Sequence, residues 1–472
     1  MRAIRRLAMA VLLSAVLAAL LPAQGQGEEH SGISVQGSGI SRILAEINTL
    51  YQYLSANYLY DIDLEDVDEY LVRALMASLD DPYAEYIPAD EGEELDEDIS
   101  GTYVGIGVYV SKYDPAFIDW DDEESYMLLV TSPFPGGPAE RAGLRARDLI
   151  SHIDGVFIGQ MDADEASRLL RGEEGVPMTV TVHRGESVFD ITLTPEEVTT
   201  PTVSHCMVEG THVGYIAIST FSEATYHLVS EALIDLTAQG MDKLILDLRN
   251  NSGGTVNSAC LVANFFTDTD DVILSIEYKE DSGRPTTRLL SSGQTRKHDI
   301  ETVILINGGS ASASEILAAA LHDNGKATLV GQQSFGKGII QDIVPWNDGY
   351  IRYTSAHYLT PNGDDIHNVG LTPDVVVEEP EMDDGQIVEY YDFIYAHQDD
   401  IIAWIEDNPD YTKENIEAFA AQWEDEVGFD PLYLKILVRN EYIASMDYED
   451  RPLIDTDYDI YLRTALEVLE GV

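Results

Sequence analysis

The sequence predicts a multidomain α/β protein, on three observations. Strand-like and helix-like periods alternate from residue 203 to 377. A β-rich stretch punctuated by glycine and proline turns precedes them, from about 95 to 197. Amphipathic helical periodicity fills both ends, 40–79 and 380–472. The 472 residues leave room for several domains, and a hydrophobic content of 44% is ordinary for packed cores. The charge is not ordinary: 27 Lys+Arg against 85 Asp+Glu give −58. That balance argues against nucleic acid and anionic membrane surfaces as partners. Apolar residues are spread throughout, so the excess reads as a solvated acidic surface and not as disorder.

Residues 1–23 read as an export signal: Arg2, Arg5 and Arg6 precede an uncharged apolar run, 7–21, closed by Pro22-Ala23. Cleavage after Ala23 and retention as an uncleaved membrane tether both fit. The expected location is periplasmic or extracellular. No cysteine precedes Cys206, which leaves no lipoprotein anchor; Cys206 and Cys260 are expected as two buried thiols. A Gly/Ser/Gln-rich tether follows, and 24–94 is taken as tether plus helical segment. Ile43, Leu44, Ile47, Leu50, Tyr51 and Leu54 predict one helix, and Val67, Leu71, Leu75 and Met76 a second over 64–79. Asp80-Asp81-Pro82-Tyr83 breaks it.

Residues 95–197 form the β-rich module. Gly105-Ile106-Gly107-Val108 opens a strand, residues 139–144 form a short helix with a glycine stop, and 148–155 a strand ending at Asp-Gly. A helix over 162–170 and a hairpin over 178–193 complete it. The succession resembles a PDZ domain, with residues 105–108 in place of its carboxylate-binding loop. Successive loop N–H groups can hold a terminal carboxylate while the adjoining strand edge adds the peptide. Arg147-Asp148 departs from the usual Gly-Asp of that turn.

Residues 198–379 form the αβ core. A strand over 213–219, a helix over 222–239 and a nearly continuous apolar strand over 243–249 suit a sheet covered on both faces. Asn250-Asn251-Ser252-Gly253-Gly254 turns into a helix over 255–266; Asp247 and Arg249 read as an internal pair. Residues 302–306 predict a short buried strand, Gly308-Gly309 a tight turn, and Ser312-Ala313-Ser314-Glu315 a capping box opening a helix that stops at Asn324-Gly325. A serine there is either a cap or a nucleophile beside free helix N–H groups that can stabilise an oxyanion. Lys337, alone between Gly336 and Gly338 with no acidic residue from 325 to 341, favours the second. Desolvation keeps part of such a lysine neutral, as a base requires.

Gly309-Ser310-Ala311-Ser312-Ala313-Ser314-Glu315, then Phe335-Gly336-Lys337-Gly338 and Gln341, resemble the signature of the C-terminal processing peptidases, or tail-specific proteases. The resemblance spans about residues 40–380. It implies a crotonase- or Clp-protease-like core with a Ser–Lys dyad. The family's lysine follows its serine by 25 positions, and 337 − 312 = 25 assigns Ser312 as nucleophile and Lys337 as general base. Gln341 would hold the lysine. Residues 247–254 resemble the family's DLRxNPGG block, with Ser252 for proline, and imply an oxyanion hole from Gly253, Gly254 and Ala313. The 24–94 segment, with its LDDPY-like ending, resembles one that helps some members dimerise. Arg171, an exposed hairpin arginine on its bland reading, would couple peptide binding at Gly105, Ile106, Gly107 and Val108 to activity.

His322, His357 and His367 test the Ser–His–Asp alternative. His322 lies ten residues past Ser312 on the same helix, too far to reach back, and no partner pattern supports the others. No cluster has metal-ligand spacing, and no metal or cofactor is expected. Residues 380–472 read as an acidic helical domain: 387–404, 412–427, 431–446 and 458–469. The expectation is an exported serine endopeptidase taking proteins by their C-termini. A catalytically inactive PDZ-type adaptor or chaperone is the alternative, against which the intact Ser312, Lys337 and Gln341 count.

Overall fold

The computed structural model describes residues 39–112, 126–292, 298–446 and 451–470; the export signal and nearly all of the tether lie outside them. The chain divides into two compact units, residues 1–71 and 72–472. Helix α1 (Gly39–Asn57) lies in the first and buries none of its residues, leaving Ile43, Leu44, Leu50 and Leu54 exposed. No helix among the described residues is long and apolar enough to cross a membrane.

Helix α2 (Leu64–Ala77) runs into the second unit, where Met76 is buried. The Asp-Asp-Pro-Tyr breaker is a turn held by Tyr83 N–H on Asp81 Oδ1 at 3.0 Å, and it leads into strand β1 (Glu85–Ile87). Helix α3 (Ala89–Ser100) then ends at Gly101, whose left-handed φ of 74° lets its N–H reach Glu97 O. Seven of its twelve residues are acidic and it has almost no apolar period, so pattern reading missed it. The expected boundary at 94/95 falls inside this helix.

The β-rich module opens with β2 (Thr102–Gly105) paired to β9 (Glu196–Thr199). Its main sheet has the order β3-β4-β5-β7-β8, from β3 (Val108–Ser111), β4 (Leu128–Pro133), β5 (Leu149–Ile153), β7 (Met178–Arg184) and β8 (Ser187–Leu193), with β6 (Val156–Phe157) on β5. Short helix α4 (Pro138–Arg141) and α5 (Ala163–Arg171) cover a core of Leu128, Val130, Ile150, Leu170, Val180 and Val182. Arg147, the departure from Gly-Asp, adopts φ 67°. A side chain is strained there, but the guanidinium reaches Ser445 O at 3.3 Å and also Ala444 O. The neighbouring Asp148 is fully buried and accepts from Arg184 at 2.6 and 2.7 Å.

The core sheet has the order β10-β11-β12-β15-β16-β19, with β10 (Val203–Met207) antiparallel to its neighbour and β11 (Val213–Ile218), β12 (Lys243–Asp247), β15 (Glu301–Ile306), β16 (Ala327–Gly331) and β19 (Val375–Val376) parallel. Helices α6 (Thr225–Ala238), α7 (Val256–Ala263) and α8 (Ala313–Asp323) cover one face through Leu233, Leu246, Ile304 and Leu317. The other face buries Ile245, Val303 and Leu305 under the C-terminal helix α12 (Ile460–Glu470), through Leu462 and Ala465. The last helix therefore belongs to the core. The remaining C-terminal helices, α9 (Asp384–Asp407), α10 (Lys413–Ala420) and α11 (Pro431–Ser445), share a separate cluster around Phe393, Phe419 and Leu434.

A second sheet escaped the sequence reading. β1 pairs with β18 (Gly349–Leu359), β18 with β13 (Val272–Tyr278), β13 with β14 (Thr287–Leu290), and β17 (Ile339–Trp346) also with β18. Its β17–β18 hairpin turns at Asn347-Asp348 and β14 follows soon after β13, but β1 and β13 reach β18 from segments far apart in sequence, so no local signal announces the sheet as a whole. Both cysteines are free; Cys260 is buried as expected, but Cys206, on edge strand β10, is only half-buried.

Candidate active site

Parallel register assembles the site. Asp247 pairs with Leu305, so β12 and β15 end level and the turns after them, 248–255 and 307–312, lie side by side at the carboxyl edge of the sheet. Asn251, fully buried, joins the two: its carbonyl accepts from Ala311 N–H at 3.0 Å and Ser314 Oγ at 2.9 Å, and its Nδ2 bonds Ile218 O at 2.8 Å.

Ser312 stands at the corner where β15 hands over to α8, with φ 54° and ψ −113°. A side chain in that region is strained, and the surroundings must impose it. They do so from three sides. Glu315 Oε2 accepts the Ser312 N–H at 2.9 Å, one half of the predicted capping box. Tyr358 OH donates to Ser312 O at 3.2 Å, its phenol pushed far up by burial. On the third side is Gly253, where an added Cβ would come within 2.8 Å of Ser312 Cβ, so only glycine fits.

The implied oxyanion donors separate into two kinds. Gly253 N–H is already bonded to Asn251 Oδ1 at 2.9 Å, so Gly253 supplies clearance instead of a donor. Gly254 and Ala313 N–H have no acceptor among the described residues. Gly254, at φ 132°, is again required to be glycine, because a Cβ would lie 2.2 Å from Phe221 O.

Lys337 comes from the loop before β17, half-buried. Its Nζ donates to Gln341 Oε1 at 3.1 Å and lies 4.6 Å from the centre of the Tyr83 ring. Gln341 Nε2 donates in turn to Tyr83 O at 2.6 Å. Burial pushes the Lys337 ammonium below its ordinary range, Arg352 on β18 pushes it further, and Asp81 opposes both. The expectation that desolvation dominates here holds; the Arg352 contribution had no local signal. No hydrogen bond joins Lys337 Nζ to Ser312 Oγ.

Glu315 ties the serine corner to the lysine loop. Its fully buried carboxylate accepts from Ser312 N–H, Lys337 N–H (2.8 Å), Gly336 N–H (2.8 Å) and Ser334 Oγ (2.5 Å). Four donors and a helix N-terminus offset the cost of burying the charge. The capping-box spacing pointed to this residue but not to its bonds across the loop.

None of the three candidate histidines bonds the serine or the lysine. His322 is at the far end of α8; burial lowers its pKa, but bonds to Asp323 (3.0 Å) and Asp374 (3.3 Å) outweigh that and raise it. His357 and His367 face each other with ring centres 5.4 Å apart. Among the described residues no cluster of His, Cys, Asp and Glu could hold a metal ion.

In the β-rich module Gly105 closes β2, Gly107 turns at φ 68°, and Val108 opens β3. The Ile106 and Gly107 carbonyls are taken by Ala139 and Phe134 N–H, both at 2.9 Å, while their own N–H groups have no acceptor among the described residues. Arg171 is not a free hairpin arginine. It ends α5, donates to Glu97 Oε2 on α3 at 2.5 Å, and lies 5.7 Å from the centre of the Tyr103 ring.

A serine at a strained strand-to-helix corner with two open N–H groups, a partly desolvated lysine, and a carboxylate-type loop on a separate domain define a serine peptidase with a PDZ domain. Comparison with known proteins gives the same answer. The profile of peptidase family S41 matches residues 212–377 and that of the PDZ domain residues 129–184. The carboxy-terminal processing protease CtpA of Bacillus subtilis (strain 168) is 32% identical over 374 residues, 79% of this chain and 77% of its own. The "Probable CtpA-like serine protease" of Staphylococcus aureus (strain N315) is 32% identical over 348 residues, 73% of this chain and 67% of its own. A solved photosystem II D1 C-terminal processing protease is 30% identical, with a TM-score of 0.40, covering 70% of this chain and 86% of that one. The chain belongs to peptidase family S41, among the C-terminal processing serine proteases.

Proposed function

We propose that this protein is an exported endopeptidase that cleaves proteins near their C-termini, with Ser312 as nucleophile and Lys337 as general base. The carrying observation is the Glu315 carboxylate, which bonds the N–H groups of Ser312 and Lys337 at once and so sets corner and loop in one register. Neutral Lys337 takes the Ser312 proton as the hydroxyl attacks the scissile carbonyl and returns it to the leaving amine. Gly254 and Ala313 N–H receive the oxyanion.

The substrate tail is held by the Ile106 and Gly107 N–H groups and adds as a strand to β3, the edge strand of its sheet. Tethering the tail raises the effective concentration of upstream bonds at Ser312. Arg171, bonded to α3, ties the tail-binding domain to the helix that packs on β18. The Arg2/Arg5/Arg6 and apolar pattern supports export. The test is mass spectrometry of products from an apolar-tailed protein, with and without its last few residues. Cleavage that needs the tail and vanishes in Ser312→Ala is expected; equal cleavage by Ser312→Ala would remove the nucleophile assignment.

A further inference from the structure

Tyr83 stands 258 positions before Gln341, outside every motif the serine and lysine share. We propose that Tyr83 is a positioning residue for the general base: its carbonyl orients the Gln341 amide and its ring face seats Lys337 Nζ. The inference rests on the reading of Lys337 as base.

The Gln341 amide can present either end to Lys337. With Nε2 tied to Tyr83 O at 2.6 Å, the carbonyl end is turned to Nζ at 3.1 Å. The reversed amide would set donors against a donor. The ring supplies what the sequence around Lys337 avoids. It offers electron density for the Nζ at 4.6 Å without the full charge of a carboxylate, so the amine is held yet can still lose its proton. The placement is enforced by the second sheet. β1, which begins two residues after Tyr83, pairs with β18 in the register Glu85 to Arg352, and β18 pairs with β17, which carries Gln341. The Asp81 turn fixes Tyr83 on the near side.

The charged and titratable groups around Lys337 are Arg352 and its partner Glu85, Asp81 in the Tyr83 turn, Glu315 on the Lys337 N–H, and His367, whose backbone abuts Gly338. The fluorinated-ring comparison below leaves all of them in place. Residues ahead of the PDZ domain thereby complete the active site.

The test uses the full chain with Tyr83→Phe and with pentafluorophenylalanine at 83, a ring of nearly the same shape and reversed quadrupole. The readout is the pH–rate profile for acylation by a short untailed peptide ester, which bypasses tail binding. Tyr83→Phe keeps the backbone carbonyl and an electron-rich ring face and supplies the reference profile. The fluorinated ring should move the midpoint about one pH unit lower, because the ammonium loses its support. Tyr83→Leu should move it the same way, with a plateau about tenfold lower from a looser base. If Tyr83→Leu does not fold, the two aromatic rings decide alone. Coinciding profiles for the two rings would overturn the proposal. Failure of the dyad reading is distinguishable: it shows as undiminished activity in Lys337→Ala.

Discussion

Arg249 and Lys337 are both drawn out of bulk water, and the fold treats them in opposite ways. Arg249 bonds Asp247 at 2.6 Å and Asp459 at 2.8 Å and lies 5.1 Å from the centre of the Tyr461 ring. Burial alone would lower its pKa, but the two carboxylates raise it far above its ordinary value. Lys337 has no carboxylate on its Nζ; a neutral amide and a ring take that place. Burial therefore prevails and its pKa falls. A caged cation is a mechanical part: Arg249 joins β12 to α12 across 210 residues. An uncaged one suits the chemical part proposed for Lys337, because it can give up its proton.

Substitutions can break this comparison. The largest effect falls on chemistry. Lys337→Ala should cost about four orders of magnitude or more in kcat, as when one member of a concerted catalytic unit is removed. Single-turnover acylation measures it, and near-parental turnover would assign the base elsewhere.

Stability should respond next, and with opposite signs. Arg249→Leu strands buried Asp247 and should cost about 3–5 kcal/mol in urea unfolding. Lys337→Met should stabilise. A lysine whose folded pKa is depressed binds fewer protons folded than unfolded. Its penalty is fully present below the folded value, fades as pH rises from there toward the unfolded value of about 10.4, and is gone above it. The gain should be seen at pH 7 and shrink in alkali; a loss at pH 7 would contradict the desolvated environment.

The pH–rate profile sharpens the comparison. With Lys337 as the proposed base, activity should rise toward alkaline pH through a midpoint below the ordinary lysine value of 10.5, since only a neutral amine can accept a proton. Removing the neighbouring cation in Arg352→Gln should move that midpoint up, and removing the opposing anion in Asp81→Asn should move it down. Shifts of the same sign in both variants would refute the electrostatic account.

The smallest expected effect is at Arg171. Arg171→Ala removes a partly exposed pair with Glu97 and should reduce cleavage of tailed proteins severalfold, leaving short untailed peptides unaffected. Equal turnover of both substrate kinds, unchanged from the parent, would leave Arg171 without a coupling role.

The sequence by itself determined the parts whose signals are local. Alternating periods gave the core sheet. The Gly-Ile-Gly-Val turn and the hairpin gave the PDZ-like module. The spacing of Ser312, Lys337 and Gln341 picked out residues that the structure links, Ser312 to Lys337 through Glu315 and Lys337 to Gln341 directly. Helix α3 stayed hidden because an acidic surface helix has no apolar stripe; the Arg147 turn was marked by its departure from Gly-Asp, but not that it keeps a glycine's positive φ.

Tertiary structure alone decided the long-range pairings. β1 and β13 meet the β17–β18 hairpin only after the chain has folded back on itself, which is how Tyr83 reaches Lys337, while the hairpin itself carries Arg352. Glu315 spanning two loops is likewise an outcome of three-dimensional hydrogen-bond competition, whereas Asn251 taking the Gly253 N–H is a local turn. A buried polar group must find a partner, and which one it finds depends on what packing brings near, not on what stands beside it in sequence.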